Sequence, residues 1–186
     1  MSNPASAHHL LRAGVPGHRL APAVRLDAEL DRQLAAHGRV TNMKRTLAHS
    51  PVALTALMTW YDLFDEVAGF LGRRPATLFV HAISAQTDCL ICSTFFRRWL
   101  TEAGEDPDRL RLDEREQALV EFGRQLARDA NGVSDELFGR LRGFLRPEQV
   151  VALTAFGGLM VATNVFNNAL RVDLDEYLHP YRKGAP

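Results

Sequence analysis

From Ser50 to Leu170 the chain is a near-continuous series of helix start and stop signals. Ser50-Pro51 supplies an N-cap followed by proline at the first helical position, and the run VALTALMTWYDLFDEVAGFLG behind it stops at Gly72. Pro75 opens ATLFVHAISAQ, and Thr87 or Asp88 can cap CLICSTFFRRWLTEAG, which ends at Gly104. Asp113 and Glu116 form a capping-box pattern ahead of ALVEFGRQLARDA, which Asn131-Gly132 terminates. Ser134 starts a short helix through Phe144, and Pro147-Glu148 starts a long one to about Leu170. Upstream, Leu26, Leu30 and Leu34 recur at four-residue spacing until Gly38; downstream, Asp173 to Leu178 reads as a last short turn. No stretch alternates with period two long enough to make a strand, so the fold class is all-α.

These signals divide the chain into an N-terminal arm over 1–24, a single helical domain over 25–180 and a tail over 181–186. The arm holds three histidines and several Pro/Gly breaks without periodicity, and is expected to be flexible or to contact an oligomer partner. Its pair His8-His9 has no third convergent ligand and reads as solvated tail. The 22 basic and 22 acidic residues cancel, which gives no electrostatic reason to expect nucleic acid or an anionic membrane as partner. The apolar run from Val150 to Phe166 is broken by Thr154, Gly157, Gly158, Thr163 and Asn164, and reads as a buried helix and not as a membrane span. With no secretory signal at the start, the expected compartment is cytoplasmic.

Both cysteines lie in AQTDCLICSTFFRR, as Cys89 and Cys92. About 1% of random placements would give this C-x-x-C spacing. Thr87-Asp88 places the pair in the first turn of a helix, where free backbone N–H groups and the helix dipole favour a thiolate. Residues i and i+3 share a helical face, so the spacing also suits a disulfide. Three readings follow: a redox dithiol, half of a zinc site, or inert buried thiols. Zinc would need two more ligands, and His37, His49, His81 and His179 show no suitable spacing. In a cytoplasmic chain structural disulfides are rare and a close cysteine pair is more often catalytic or metal-binding. Asp88 works against ionisation of Cys89.

Three segments resemble the alkylhydroperoxidase D-like proteins of the carboxymuconolactone decarboxylase superfamily: RVTNMKRTLAHSPVALTALMTWYDLF, TLFVHAISAQTDCLICSTFFRRWL and ALTAFGGLMVATNVFNNALRVDLDEYL. The resemblance implies a multi-helix fold with a helical hairpin carrying the C-x-x-C at a helix start, and a homo-oligomer. It implies reduction of a small peroxide or disulfide through a Cys89–Cys92 dithiol, with electrons from an external thiol or disulfide-reducing protein and no cofactor or metal. Cys92 would be the peroxide-reactive sulfur and Cys89 the resolving one. The family's relay Glu and His are absent: Thr77 and Phe96 stand at their positions. If those two positions face each other across an antiparallel helix pair, His81 falls opposite Cys92, which makes it a candidate replacement base. The plain alternative for His81 is a histidine on an apolar helix, satisfied locally. Two other outcomes stay open: a helical scaffold of the same fold with unreactive cysteines, or a carboxymuconolactone decarboxylase-like enzyme acting on a small organic acid.

Other polar residues have mainly structural readings. Asn164 and Asn168 share a face that can look towards the thiols, but helix–helix hydrogen bonding is the expectation there, as for Asn167. Gly157-Gly158 permits a close backbone approach. Trp60 and Phe64 should point inward with Asp65 and Glu66 outward. Arg97 and Arg98 should form surface ion pairs.

Overall fold

The computed structural model describes residues 19–20 and 28–184. The rest of the expected arm, with His8-His9, the start of the domain at 25–27, and residues 185–186 lie outside the described residues. Nine α-helices follow in order: α1 Ala28–His37, α2 Asn42–Leu47, α3 Pro51–Met58, α4 Trp60–Leu71, α5 Arg73–Gln86, α6 Leu90–Glu102, α7 Glu114–Arg128, α8 Asp135–Arg142 and α9 Pro147–Leu170. Short 3-10 turns at Ala130–Gly132 and Glu176–Tyr181 complete the described chain, which contains no strand. The fold is all-α, as the capping signals predict.

Helix α5 is the axis. It is buried from Ala76 to Val80 and again from Ala82 to Ser84, because α4, α6, α7 and α9 all pack on it. A helix apolar on nearly every side needs such a jacket. Two glycines allow the approach. A Cβ on Gly123 would lie 2.8 Å from the Phe79 carbonyl oxygen, and one on Gly157 would lie 2.7 Å from Leu126 and 3.0 Å from the Phe79 ring. The long apolar helix α9 is long enough to cross a membrane, yet half of that segment is buried in the protein.

The structure differs from the sequence expectation at three places. The single helix expected over 51–72 is two, broken at Thr59, whose hydroxyl donates back to the Ala56 carbonyl at 2.7 Å. Helix α2, capped by Thr41, was too short to register as a period. Cys89 is not inside α6 but is its N-cap.

That last point fixes the sulfur geometry. Helix α5 ends with Asp88 in the left-handed region, φ +52°, a conformation that Asp tolerates better than most residues. The Cys89 N–H donates to the Ser84 carbonyl at 3.0 Å and the Asp88 N–H to Ala85 at 3.3 Å, the bond pattern of a Schellman motif. The Cys89 carbonyl then accepts from the Ser93 N–H at 2.9 Å, the first bond of α6. One residue closes one helix and opens the next.

The glycines separate by environment. Gly123→Ala is expected to cost about 1–3 kcal/mol, because the added methyl meets backbone that cannot yield. Gly139→Ala in α8, where a Cβ meets nothing within 4 Å, is expected to gain up to about 1 kcal/mol from helix propensity. Urea unfolding of the two variants reads the difference; equal shifts would contradict the packing described.

Candidate active site

Both thiols are free and buried, Cys89 to 0% exposure and Cys92 to 6%. The Cys89 sulfur accepts from the Cys92 thiol, from the backbone N–H groups of Cys92 and Ile91, and from the Asn167 amide. These bonds, the Cys92 thiol first, hold its pKa below the ordinary thiol value although burial pushes the other way. Cys92 is held well above it, because its proton is the one shared, and because burial and the Cys89 charge both oppose its ionisation. Of the two thiols, Cys89 is therefore the one whose ionisation its surroundings favour, and Cys92 the one that keeps its proton.

Helix α9 fastens this turn with three amides. Asn164 donates to the Thr87 hydroxyl at 2.9 Å and to Ser84 at 3.4 Å, and Asn168 donates to the Thr87 carbonyl at 2.9 Å. Both do the structural work expected of them. Asn167 does more. Its Nδ2 lies 3.3 Å from the Cys92 sulfur and 3.3 Å from the Met43 sulfur, while its Oδ1 is buried without a partner among the described residues. Its spacing, one turn from Asn164 beside Asn168, was the available signal.

The sulfurs border different spaces. Cys92 lines an apolar cavity of about 50 Å³, walled by Trp60, Phe95, Phe96 and Met160 and bordered by the C-terminal turn at Tyr177 and Leu178. Cys89 lines a separate, more polar cleft of about 340 Å³ with Asn168, Arg171 and Arg19. Access to each thiol thus runs through a cavity and not from the open surface.

Two ionisable groups of the Cys92 cavity escaped the sequence reading. Lys44 is 1% exposed, and its ammonium donates to the Arg39 carbonyl at 3.3 Å and sits 5.2 Å from the Tyr61 ring centre. Among the described residues no carboxylate pairs with it, and burial draws its pKa down to about 8. Asp175 accepts from the Asn42 N–H at 2.9 Å through Oδ1, and its Oδ2 is buried without a partner. Burial, ahead of its other neighbours, raises that carboxyl above its ordinary value. Nothing in the periodicity of NMKRTL distinguishes Lys44 from a surface lysine.

The remaining candidates are clear in place. His81 is half-buried, and burial first, then Arg97 and Arg124, draw its pKa down to about 4, so it is neutral near pH 7. The polar neighbours of Cys92 are Cys89 and Asn167, and among the described residues no hydrogen bond joins His81 to either thiol. Thr77 donates to the Arg73 carbonyl at 2.8 Å, and Phe96 packs on Trp60, Phe95 and Trp99. Trp60 and Phe64 are buried with Asp65 and Glu66 exposed, as the amphipathic pattern predicts. Arg97 makes a two-pronged pair with Asp108 at 3.0 and 2.8 Å, and Arg98 lies 3.7 Å from Glu102.

No protein-family model and no curated protein sequence matches the chain. Solved structures do. A peroxidase-related protein from Ralstonia eutropha JMP134, named as an alkylhydroperoxidase AhpD core and uncharacterized, superposes with a TM-score of 0.75 at 20% identity, over 90% of this chain and 97% of its own. The fold is AhpD-like. An uncharacterized peroxidase-related protein from Silicibacter sp. TM1040 superposes at 0.69 with 15% identity, over 91% of this chain and 100% of its own. A protein of unknown function from Agrobacterium tumefaciens, whose name links it to the antioxidant defence protein AhpD, gives 0.62 at 20% identity, over 70% and 95%.

The lysine carries a pH signature. Its pKa is depressed in the fold, so between about 8 and 10.5 the unfolded chain binds more protons and stability rises with pH. Lys44→Met is expected to stabilise the protein by up to ~3 kcal/mol below pH 8, with the gain fading above pH 10. Chemical denaturation across pH 6–10.5 checks this, and a gain that does not vary with pH would contradict it.

Proposed function

We propose that the chain is a thiol-dependent oxidoreductase that reduces a small peroxide, or a disulfide, through Cys89 and Cys92. The observation that carries this reading is the bonded sulfur pair: Cys89 at a helix N-cap, its ionisation favoured, accepting from the Cys92 thiol that borders an apolar cavity. In this scheme the Cys89 thiolate does what the absent relay would do. As Cys92 attacks the terminal peroxide oxygen, its proton passes to Cys89, and the O–O bond breaks to leave an alkoxide and a Cys92 sulfenic acid. The Cys89 thiol then attacks the sulfenic sulfur, and its proton leaves with the hydroxyl as water. The two sulfurs lose two electrons and end as a disulfide. An external thiol or disulfide-reducing protein restores the pair, with the polar cleft at Cys89 as its approach, in a reducing cytoplasmic setting. The neutral His81 belongs to the wall between α5 and α6 in this scheme, so His81→Gln should leave the thiol reactivity unchanged.

Stoichiometric oxidation under anaerobic conditions tests the reading. One hydroperoxide per chain should remove both thiols and lower the mass by ~2 Da. Cys89→Ser should form the Cys92 sulfenic acid more slowly, for want of the proton acceptor, but trap it in dimedone-reactive form, and Cys92→Ser should consume no peroxide. Thiols inert to peroxide and to disulfides alike would leave the alternative that their burial favours, a scaffold of the same fold.

Self-association has its own support. The outer face of α9 exposes Val151, Ala155, Gly158, Ala162 and Val165 at alternating spacings of four and three. The order is palindromic about Gly158, where an added Cβ meets nothing of its own chain. Antiparallel packing of two copies with the crossing at Gly158 would set Val151 of one against Val165 of the other and let the backbones approach closely. Light scattering should show a dimer that Gly158→Leu and Val165→Glu each convert to monomer; an unchanged mass would refute the packing.

A further inference from the structure

We propose that Lys44 is the acid of the Cys92 cavity, donating the proton that the departing oxygen of a small hydroperoxide takes up. The inference rests on the thiol-peroxide reading above and adds to it a residue, a proton source and a limit on substrate size.

The cavity wall is mainly apolar, and beside Thr41, Thr163, Tyr61 and Tyr177 it carries two ionisable groups with unused bonding capacity, Lys44 and Asp175. An ammonium has three N–H donors, and the only described acceptor of Lys44 is the Arg39 carbonyl. On the wall of the same cavity the Asp175 Oδ2 is a buried acceptor with no donor. A buried polar group without a partner is costly, and native proteins tolerate it mainly where something else completes it. A hydroperoxide completes both, since it carries one O–H donor and two acceptor oxygens, and Cys92 lines the same space. The titratable side chains that line the cavity with Lys44 are mostly uncharged near neutral pH. Tyr61 on α4 is pushed up to about 12 and Tyr177 above its ordinary value, in both cases by burial first, so neither is a phenolate near neutral pH. Cys92 on α6 is protonated at rest. The charges on that side are Arg98 and Glu102 on α6, Asp175 in the C-terminal turn, Arg39, stacked 3.9 Å over the Tyr177 ring, and Arg45 on α2.

The step balances without a further reagent. Cys92 bonds to the terminal oxygen, the alkoxide leaves, and the Lys44 ammonium protonates it to an alcohol, becoming an amine that solvent recharges. A peroxide O–O cleavage in an apolar cavity needs such a proton, because an unprotonated alkoxide released there would be a buried unpaired charge. The lysine pKa of about 8 keeps it mostly charged at pH 7 and leaves it a readier donor than an exposed lysine. Size narrows the substrate. A cavity of about 50 Å³ holds roughly three or four waters. That suits hydrogen peroxide or a short alkyl hydroperoxide better than a bulky aryl one.

The test compares full-length wild type, Lys44→Met and Lys44→Arg by stopped flow, following disulfide formation with hydrogen peroxide and, separately, with the dithiol oxidant diamide. Diamide needs no proton on a departing oxygen. Both variants should lose on the order of 100-fold in the peroxide rate and stay within about 2-fold of wild type with diamide. Arginine keeps the charge but cannot release the proton, and it covers the case in which the methionine variant fails to fold. The wild-type peroxide rate should fall as pH rises through about 8, and that limb should be missing from both variants. Wild type that oxidises with diamide but never with peroxide removes the peroxidase reading and this proposal together. Wild type that reacts with peroxide, beside variants of equal rate and equal pH profile, removes the role of Lys44 alone. A loss shared equally between peroxide and diamide would assign Lys44 a structural role and likewise overturn it.

Discussion

The arrangement of the candidate site hangs on one turn. Asp88 adopts a left-handed conformation, Cys89 donates its N–H back to Ser84, and the same residue offers its carbonyl to Ser93. A Schellman closure and an N-cap overlap at a single residue, so the position of the Cys89 sulfur is set by two helices at once and not by rotamer preference alone. An N-cap side chain meets free N–H groups, and here the side chain is a thiol. That is why Cys89 is the more acidic sulfur although it is fully buried. The three asparagines of α9 then act as a brace. Two hold the Thr87 shoulder of the turn and the third reaches the sulfurs. Distortion of the turn would change helix direction, sulfur separation and sulfur charge together.

Much of this was legible in the chain. The capping residues gave the all-α class, because N-cap and C-cap chemistry is local: Ser50, Asp113 and Ser134 accept the N–H bonds that their side chains imply. The thiol pair and its place at a helix start could be read for the same reason. The helix break at Thr59 could not, since a threonine hydroxyl bonding back one turn is compatible with a continuous helix in most contexts. Asn167 and Lys44 were hidden for a different reason. Both act through contacts made far along the chain, Asn167 with Cys92 and Met43, Lys44 with the aromatic wall. Local pattern carries no information about which element a side chain will meet.

The positions at which the AhpD resemblance calls for a Glu and a His show what the protein does without them. Thr77 turns its hydroxyl back onto its own helix, and Phe96 joins an aromatic cluster with Trp60, Phe95 and Trp99. Neither position can carry a proton. Both make the surroundings of Cys92 less polar, which raises the cost of any charge placed there. A thiolate at Cys92 is disfavoured, and ionisation is favoured instead at Cys89, where the Cys92 thiol and backbone N–H groups stabilise the charge.

In that setting Lys44 is hard to explain as packing. Methionine would fill a similar volume and remove an uncompensated charge from an aromatic wall, where no described carboxylate answers it. A cation–π contact with Tyr61 at 5.2 Å offsets part of that cost, on the order of 1–2 kcal/mol at most. The remainder is a standing loss of stability, located in the same small cavity that Cys92 lines. Active sites are where proteins carry such losses, since a proton donor is useful only where water does not already supply one. The aromatic wall that makes the lysine unfavourable at rest is the same feature that would make its proton count during O–O cleavage.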